Sequence, residues 1–342
     1  MTSSDLDRFS NLSADLDTLA DSPAPASTLD LGLALRTGRR RLRRRRAVRA
    51  GAVCSLALAV GFGAIALPGE GVLGGGGRAV VTPQAPAAGS DPLVVHATFG
   101  WLPASIAGVG YSAGYEDPVG PTANATGTGT NAERIILTLY PAGATPPIGT
   151  AADGGKQYRV DTQPIQGGSA YWLTKNRADP TSNDDSYLRW RTPGGRWAEI
   201  HAYYQPKGAD PASTLRKVAE NVKVADYAVP LPVHISALPR DMVPHQIDLF
   251  RPDPGGTLPW TVEMLYSVGD QNVSFFAGPM TRTAPDNGEV CTTSKGLRLC
   301  AWTDPGQSLP PSVAALGGAK GLLARIASLG MDEKNWTTTV VD

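Results

Sequence analysis

Several hydrophobic patterns follow one another along this chain of 342 residues. In the first 22 residues Leu6, Phe9, Leu12, Leu16 and Leu19 recur every three or four positions, with Asp5, Asp7, Asp15, Asp17 and Asp21 between them. That is the stripe of an amphipathic helix. It is too short to enclose a core, so it packs on a partner, folds on binding or stays partly disordered. Pro23 and Pro25 end it, and Ser27 or Thr28 can cap a second helix that continues through an arginine-rich stretch. Polar positions then vanish, since residues 50–67 are 18 residues without a charge. At about 1.5 Å per residue a helix of that length spans roughly 27 Å, close to the hydrocarbon thickness of a bilayer. The pattern predicts a transmembrane helix there. Residues 68–91, rich in Gly, Pro and Ala, show no period and read as a flexible tether.

From Pro92 onward the pattern alternates in short runs. Trp197-Ala198-Glu199-Ile200-His201-Ala202-Tyr203-Tyr204 pairs with Tyr187-Leu188-Arg189-Trp190-Arg191 through the turn Thr192-Pro193-Gly194-Gly195, a predicted hairpin. Residues 135–140, 261–266 and 273–276 are further strands, and 118–131 reads as a long polar loop. Two helices are expected. In the first, Asp210 caps, Pro211 takes the first turn, and Leu215, Val218, Ala219 and Val222 form the apolar face; in the second the face is Leu322, Ile326 and Leu329, with Gly330 at the stop.

An internal similarity organises these elements. Pro92-Leu93-Val94-Val95-His96-Ala97-Thr98 recurs 138 residues later as Pro230-Leu231-Pro232-Val233-His234-Ile235-Ser236, each followed by Leu-Pro. Trp190 with Thr192-Pro193-Gly194 corresponds to Trp302 with Thr303-Asp304-Pro305-Gly306. The expected fold class is α+β: two tandem β-rich modules, each closed by a C-terminal helix, behind one transmembrane helix. The expected division is a cytoplasmic segment over 1–49, the span 50–67, the linker 68–91, and modules 92–228 and 229–342.

Charge orients this arrangement. The chain is formally neutral, yet residues 1–49 hold ten Arg against six Asp. Arg39, Arg40, Arg41, Arg43, Arg44, Arg45 and Arg46 crowd the upstream side of the apolar segment, which places the amino terminus in the cytoplasm and the modules outside. The same cluster attracts anionic lipid headgroups. No aromatic residue interleaves with it, so membrane lipid rather than nucleic acid is its expected partner. A cleaved export signal is the rival reading, because Ala64-Ile65-Ala66 has the small-x-small form accepted after an apolar core. Cys54 lies near the start of the apolar run and is no lipid-attachment cysteine.

Chemistry is sparse. Cys291 and Cys300 flank Lys295-Gly296 symmetrically, so a two-residue turn sets them opposite each other at a separation a disulfide accepts. Reduced cysteines and a redox-active pair are the alternatives. His96, His201, His234 and His245 bring no metal-ligand spacing, and His96 and His234 sit at equivalent repeat positions, which suggests a structural role in strands. There is no Gly-x-Ser-x-Gly, phosphate loop or His-Glu-x-x-His. No catalytic residue, metal ligand or cofactor is expected.

The succession Gly167-Gly168-Ser169-Ala170-Tyr171, Leu188-Arg189-Trp190, Gly194-Gly195-Arg196-Trp197-Ala198-Glu199-Ile200 and Thr214-Leu215-Arg216-Lys217-Val218-Ala219 resembles an extracytoplasmic module of Gram-positive bacteria. That module often stands behind a membrane anchor and an anti-sigma-like cytoplasmic segment. The resemblance implies an envelope sensor or binding protein whose Leu6, Phe9, Leu12, Leu16 and Leu19 face engages a cytoplasmic protein such as a sigma factor. It implies no catalytic residues. The cytoplasmic part departs from the zinc-containing anti-sigma pattern, having no His and no Cys before Cys54. An extracytoplasmic carrier or interaction protein without a signalling role is the alternative.

Overall fold

The computed structural model describes residues 91–342 apart from 115–119, 130, 150–154, 183–184, 205–209, 255–256, 281–288 and 305–307. The stripe of residues 6–19, the arginine cluster, the apolar segment and the tether lie outside the described residues. Among those described, no helix is long and apolar enough to cross a membrane.

In chain order the strands are β1 (Val94–Phe99), β2 (Ile106–Gly114), β3 (Thr122–Gly127), β4 (Arg134–Leu139), β5 (Tyr158–Ile165), β6 (Gly168–Thr174), β7 (Asp185–Arg191), β8 (Trp197–Tyr203), β9 (Val222–Ala228), β10 (Val233–Ile235), β11 (Val243–Phe250), β12 (Thr261–Val268), β13 (Gln271–Pro279), β14 (Val290–Ser294), β15 (Leu297–Thr303) and β16 (Ile326–Ser328). Helix α1 (Pro211–Glu220) precedes β9, and the short helices α2 (Pro311–Ala315) and α3 (Gly318–Leu323) precede β16.

Twelve strands form one sheet in the order β14-β15-β13-β12-β11-β2-β3-β4-β8-β7-β6-β5. All of its pairings are antiparallel. Alternation gives each strand an apolar side, and register brings these sides into line. From one edge, Val290, Ala301, Phe275, Met264, Ile247 and Ala113 face each other across successive pairs. Two residues along β2, Tyr111 continues the row through Ala123, Leu137, Ile200, Leu188, Trp172 and Val160 to the other edge. Every member except the edge residues Val290 and Val160 is buried. A one-residue slip in any strand would turn its apolar set to the other side, so burial fixes the register.

The apolar side is covered by the remaining elements. The ribbon β1–β9 lies against β2, β3 and β4, helix α1 packs on β5 and β8, and α3 packs on β14 and β15. Helix α1 begins as its sequence prescribes, with the Asp210 carboxylate accepting from the Ser213 N–H and Pro at the first turn. Leu215, Val218 and Ala219 are fully buried beneath it. The β7–β8 hairpin also follows its sequence: Gly195 takes φ 78° in the turn, and the Thr192 N–H donates to the Arg196 carbonyl. The sheet edge at β5 is blunted by Pro164 and by Arg216 of α1, whose guanidinium donates to the Gln163 and Pro164 carbonyls.

Three expectations are corrected. The fold is mostly β and is not a pair of modules each closed by a helix, because β2 pairs directly with β11 and one sheet runs through both halves. Nor do the helices close anything: each helical segment is followed by a strand that returns to pair with an early one, β9 on β1 and β16 on β10. The second expected helix is broken, since Gly317 after α2 and Gly318 at the start of α3 take positive φ, and Ile326 lies in β16 opposite Ile235. Finally, the stretch 118–131 contains β3. Its inward residues are Ala123 and Ala125, too small to give an apolar signal beside Thr122, Asn124 and Thr126.

The assignment of faces is testable within one strand. Leu137→Ala, on the buried side of β4, should cost about 2–5 kcal/mol of unfolding free energy. Ile136→Ala, on the half-exposed side, should cost about 1 kcal/mol or less. Denaturant midpoints of the two variants measure both, and equal losses would contradict the orientation of β4.

Candidate functional site

The apolar side leaves no room for chemistry among the described residues. Trp190, Tyr266, Phe99 and Phe275 fill it as its largest side chains, each less than 2% exposed. An open groove of about 630 Å³ runs along α1, lined by Ala212, Ser213, Arg216, Lys217, Glu220 and Asn221. Its cations are engaged already: Arg216 caps the β5 carbonyls, and the Lys217 ammonium lies 4.1 Å from the centroid of the Trp101 ring.

The opposite side of the sheet divides into three neighbourhoods. The first is a buried bolt. On β7 and β8, Arg189 and Glu199 stand directly opposite and form an ion pair, each nearly inaccessible to water. The Tyr140 hydroxyl donates to Glu199 Oε2 at 3.1 Å, and Arg189 Nη1 donates to the Pro147 carbonyl at 2.8 Å. Burial and then the Glu199 charge push the Tyr140 phenol far above its usual range. Burial alone would pull the Arg189 guanidinium down, but Glu199, Tyr171 and Tyr140 outweigh it and the net direction is up. Both groups are therefore held in one protonation state. Their role is to pin the segment after β4 onto the sheet.

The second neighbourhood is acidic. Asp248 on β11 stands opposite Glu263 on β12 and accepts from the Ser112 hydroxyl and the Gln246 amide. Local burial, then the charges of Asp248 and Glu289, push the Glu263 carboxyl up to about 7. Glu263 nevertheless keeps an exposed surface, so the opposed Asp248 is the cause with the firmer geometric basis. Cys291 and Cys300 are opposite residues of β14 and β15 and are joined as a disulfide, with Cα atoms 4.1 Å apart. Glu289 lies close to both sulfurs, but with the sulfurs bonded to each other the three residues offer a cation no thiolate.

The third neighbourhood is an aromatic band on β4, β7 and β8. Tyr187 and His201 stack with centroids 4.0 Å apart at 10°, and His201 meets Tyr203 at 5.0 Å. Tyr204 closes the series edge-on at 5.4 Å from Tyr203. Arg134 lies over the Tyr203 ring at 5.6 Å and donates to its hydroxyl at 3.2 Å. Tyr187, His201, Tyr203 and Arg134 are half-buried, and Tyr204 is 46% exposed. Tyr204 also takes φ 57°, a left-handed conformation unusual for a bulky residue. Rings packed against one another on a rigid sheet lose little freedom when a partner covers them.

The four histidines fall on β1, β8, β10 and β11 and do not converge. His96 pairs with Asp226 at 2.6 Å, and His234 contacts the Thr339 carbonyl and Asp342. Of the residues proposed from sequence as binding or topological, Leu6, Phe9, Leu12, Leu16, Leu19 and the arginines 39–41 and 43–46 lie outside the described residues. The aromatic band was missed. Its signal was the placing of His201 and Tyr203 two residues apart on the outward positions of a strand whose inward positions are Ala198, Ile200 and Ala202.

No protein-family model and no curated protein matches the chain. Its fold is weakly similar to solved structures. The crystal structure of MucB is 12% identical over 64% of this chain and 90% of that one, with a TM-score of 0.22. The Pseudomonas aeruginosa MucA/MucB complex is 12% identical over 66% and 93%, with a TM-score of 0.21. Crystal form I of TP0453 is 10% identical over 69% and 96%, with a TM-score of 0.32. A likeness of this size carries no functional argument.

The bolt and the acidic pair each predict a stability effect. Arg189→Met leaves Glu199 buried without its partner and should cost about 3–5 kcal/mol, whereas Arg189→Met with Glu199→Leu should recover most of that loss. Denaturation of the single and double variants decides it. For Glu263 the folded chain retains a proton that the unfolded chain releases between pH 4.5 and about 7. Stability therefore falls as pH rises through that window, and Glu263→Gln should remove that part of the slope in a pH series of unfolding midpoints.

Proposed function

We propose that this chain is a single-pass membrane protein with a cytoplasmic amino terminus, whose sheet lies outside the cytoplasm and binds a protein partner. The stripe of Leu6, Phe9, Leu12, Leu16 and Leu19 engages a second, cytoplasmic protein, for which a sigma factor is the class we favour. The chain is not an enzyme on this reading. Lipid contacts the arginine cluster that flanks the apolar segment.

The observation that supports binding through the sheet is the aromatic band. Tyrosine and arginine are enriched among the residues that dominate protein interfaces, because they bury large area with few rotamers and retain a polar tip. Here Tyr187, His201, Tyr203, Tyr204 and Arg134 gather on one side of a sheet whose other side is filled. That filling also disfavours the carrier alternative, which needs a chamber between the sheet and its cover. The strongly shifted phenols of Tyr140 and Tyr111 sit in buried structural contacts, and the shifted Glu263 faces Asp248 on the sheet rather than lining the groove along α1, which disfavours catalysis.

Placing a photo-crosslinking amino acid at Tyr204 in the full-length protein should yield a discrete protein adduct in intact cells. Tyr187→Ala with Tyr203→Ala should weaken that partner by about thirtyfold, the roughly 2 kcal/mol expected for interface anchors. Deletion of residues 1–22 should leave the adduct unchanged while removing the cytoplasmic partner. An adduct equally strong in the tyrosine double variant would contradict the assignment of the band.

A further inference from the structure

The hairpin of β14 and β15 carries an asymmetry that a purely structural staple does not need. Both sulfurs of the Cys291–Cys300 disulfide are approached by the guanidinium of Arg298, which lies two residues before Cys300 on the same side of β15. Arg298 Nε donates to Cys300 Sγ at 3.2 Å, and its Nη2 reaches Cys291 Sγ at 3.5 Å. The carboxylate Glu289 Oε2 lies 3.8 Å from Cys291 Sγ and accepts from Arg298 Nη2 at 3.3 Å. Burial differs in the same sense: Cys300 is 1% exposed, while Cys291 is partly open to solvent.

Thiol–disulfide exchange requires an accessible sulfur to be attacked and a stabilised thiolate to leave. Those two requirements fall on different cysteines here. The guanidinium lies closer to Cys300 than to Cys291 and favours the Cys300 thiolate more, and the carboxylate beside Cys291 widens that difference by disfavouring the thiolate there. We propose that this disulfide is an exchange site of fixed polarity, in which an external dithiol reductant attacks Cys291 and Cys300 leaves against Arg298. A thiolate of the dithiol forms a bond to Cys291 Sγ, the Cys291–Cys300 bond breaks, and its electron pair goes to Cys300. The second thiol of the reductant, having given its proton to solvent, then attacks the mixed disulfide and expels Cys291 as thiolate. The dithiol is oxidised by two electrons, and the two protein thiolates take protons from solvent according to pH. The consequence is local, because β14 is an edge strand whose partner in the sheet is β15, and reduction removes the covalent tie between them.

The test uses the full chain in detergent, with Cys54→Ser so that only this pair reacts. Its redox equilibrium with dithiothreitol at pH 8 is read by alkylation and mass spectrometry. Arg298→Met should shift the equilibrium about tenfold toward the disulfide, a midpoint about 30 mV more negative, and should slow reduction. Arg298→Lys should restore much of the shift. Glu289→Gln should move the equilibrium the other way, which keeps the test decisive if the methionine variant folds poorly. Trapping with glutathione should place the adduct on Cys291. An unchanged midpoint in both the Met and the Gln variants, or an adduct on Cys300, would overturn the proposal.

Discussion

Four cross-strand pairs, from Gln246 with Gly114 to Leu249 with Tyr111, join the two halves of this chain. Without them β2 and β11 would each present a row of unpaired backbone groups in the middle of the molecule, next to buried apolar side chains. Such an edge either finds a partner or aggregates. With them, a single row of apolar contacts runs from Val290 to Val160, and the ribbons and helices above the sheet have one surface to cover. The same pairing explains why the two halves share one sheet. Without it, each would lose its neighbour along four residues of β2 or of β11.

Once the apolar side is filled, the described residues meet their surroundings from the other side of the sheet and from its rims. That side is not uniform. Around β7 and β8 it carries a buried ion pair that stiffens the surface and, beside it, half-exposed rings. Around β11 to β15 it carries opposed carboxylates and a disulfide with a cation against it. Stiffness and display are coupled, because Glu199 and His201 share one side of one strand: the first locks β8 to β7, and the second presents its ring two residues further on.

Much of the local structure was legible in the sequence. The caps of α1, the β7–β8 turn and the opposition of Cys291 and Cys300 are short-range consequences of Asp210, Gly195 and the Lys295-Gly296 turn. What could not be read was long-range. The β2–β11 pairing depends on residues more than a hundred positions apart, and their shared alternation is common to every strand. Strand β3 was hidden because Ala123 and Ala125 give little hydrophobic contrast, and β16 because Ile326 also fits a helical period. The aromatic band was overlooked because tyrosine and histidine in a strand read equally well as core. Only the fold shows that they point away from it.

The central claim is that the aromatic side of the sheet is covered by a partner where the protein works. Footprinting of tyrosine and histidine side chains in intact cells, compared with the purified full-length protein, tests it directly. The account predicts that Tyr187, His201, Tyr203 and Tyr204 are protected in cells and reactive after purification, while the half-exposed His96 and His234, away from the band, react equally in both. Equal labelling of the four rings in the two settings would contradict it.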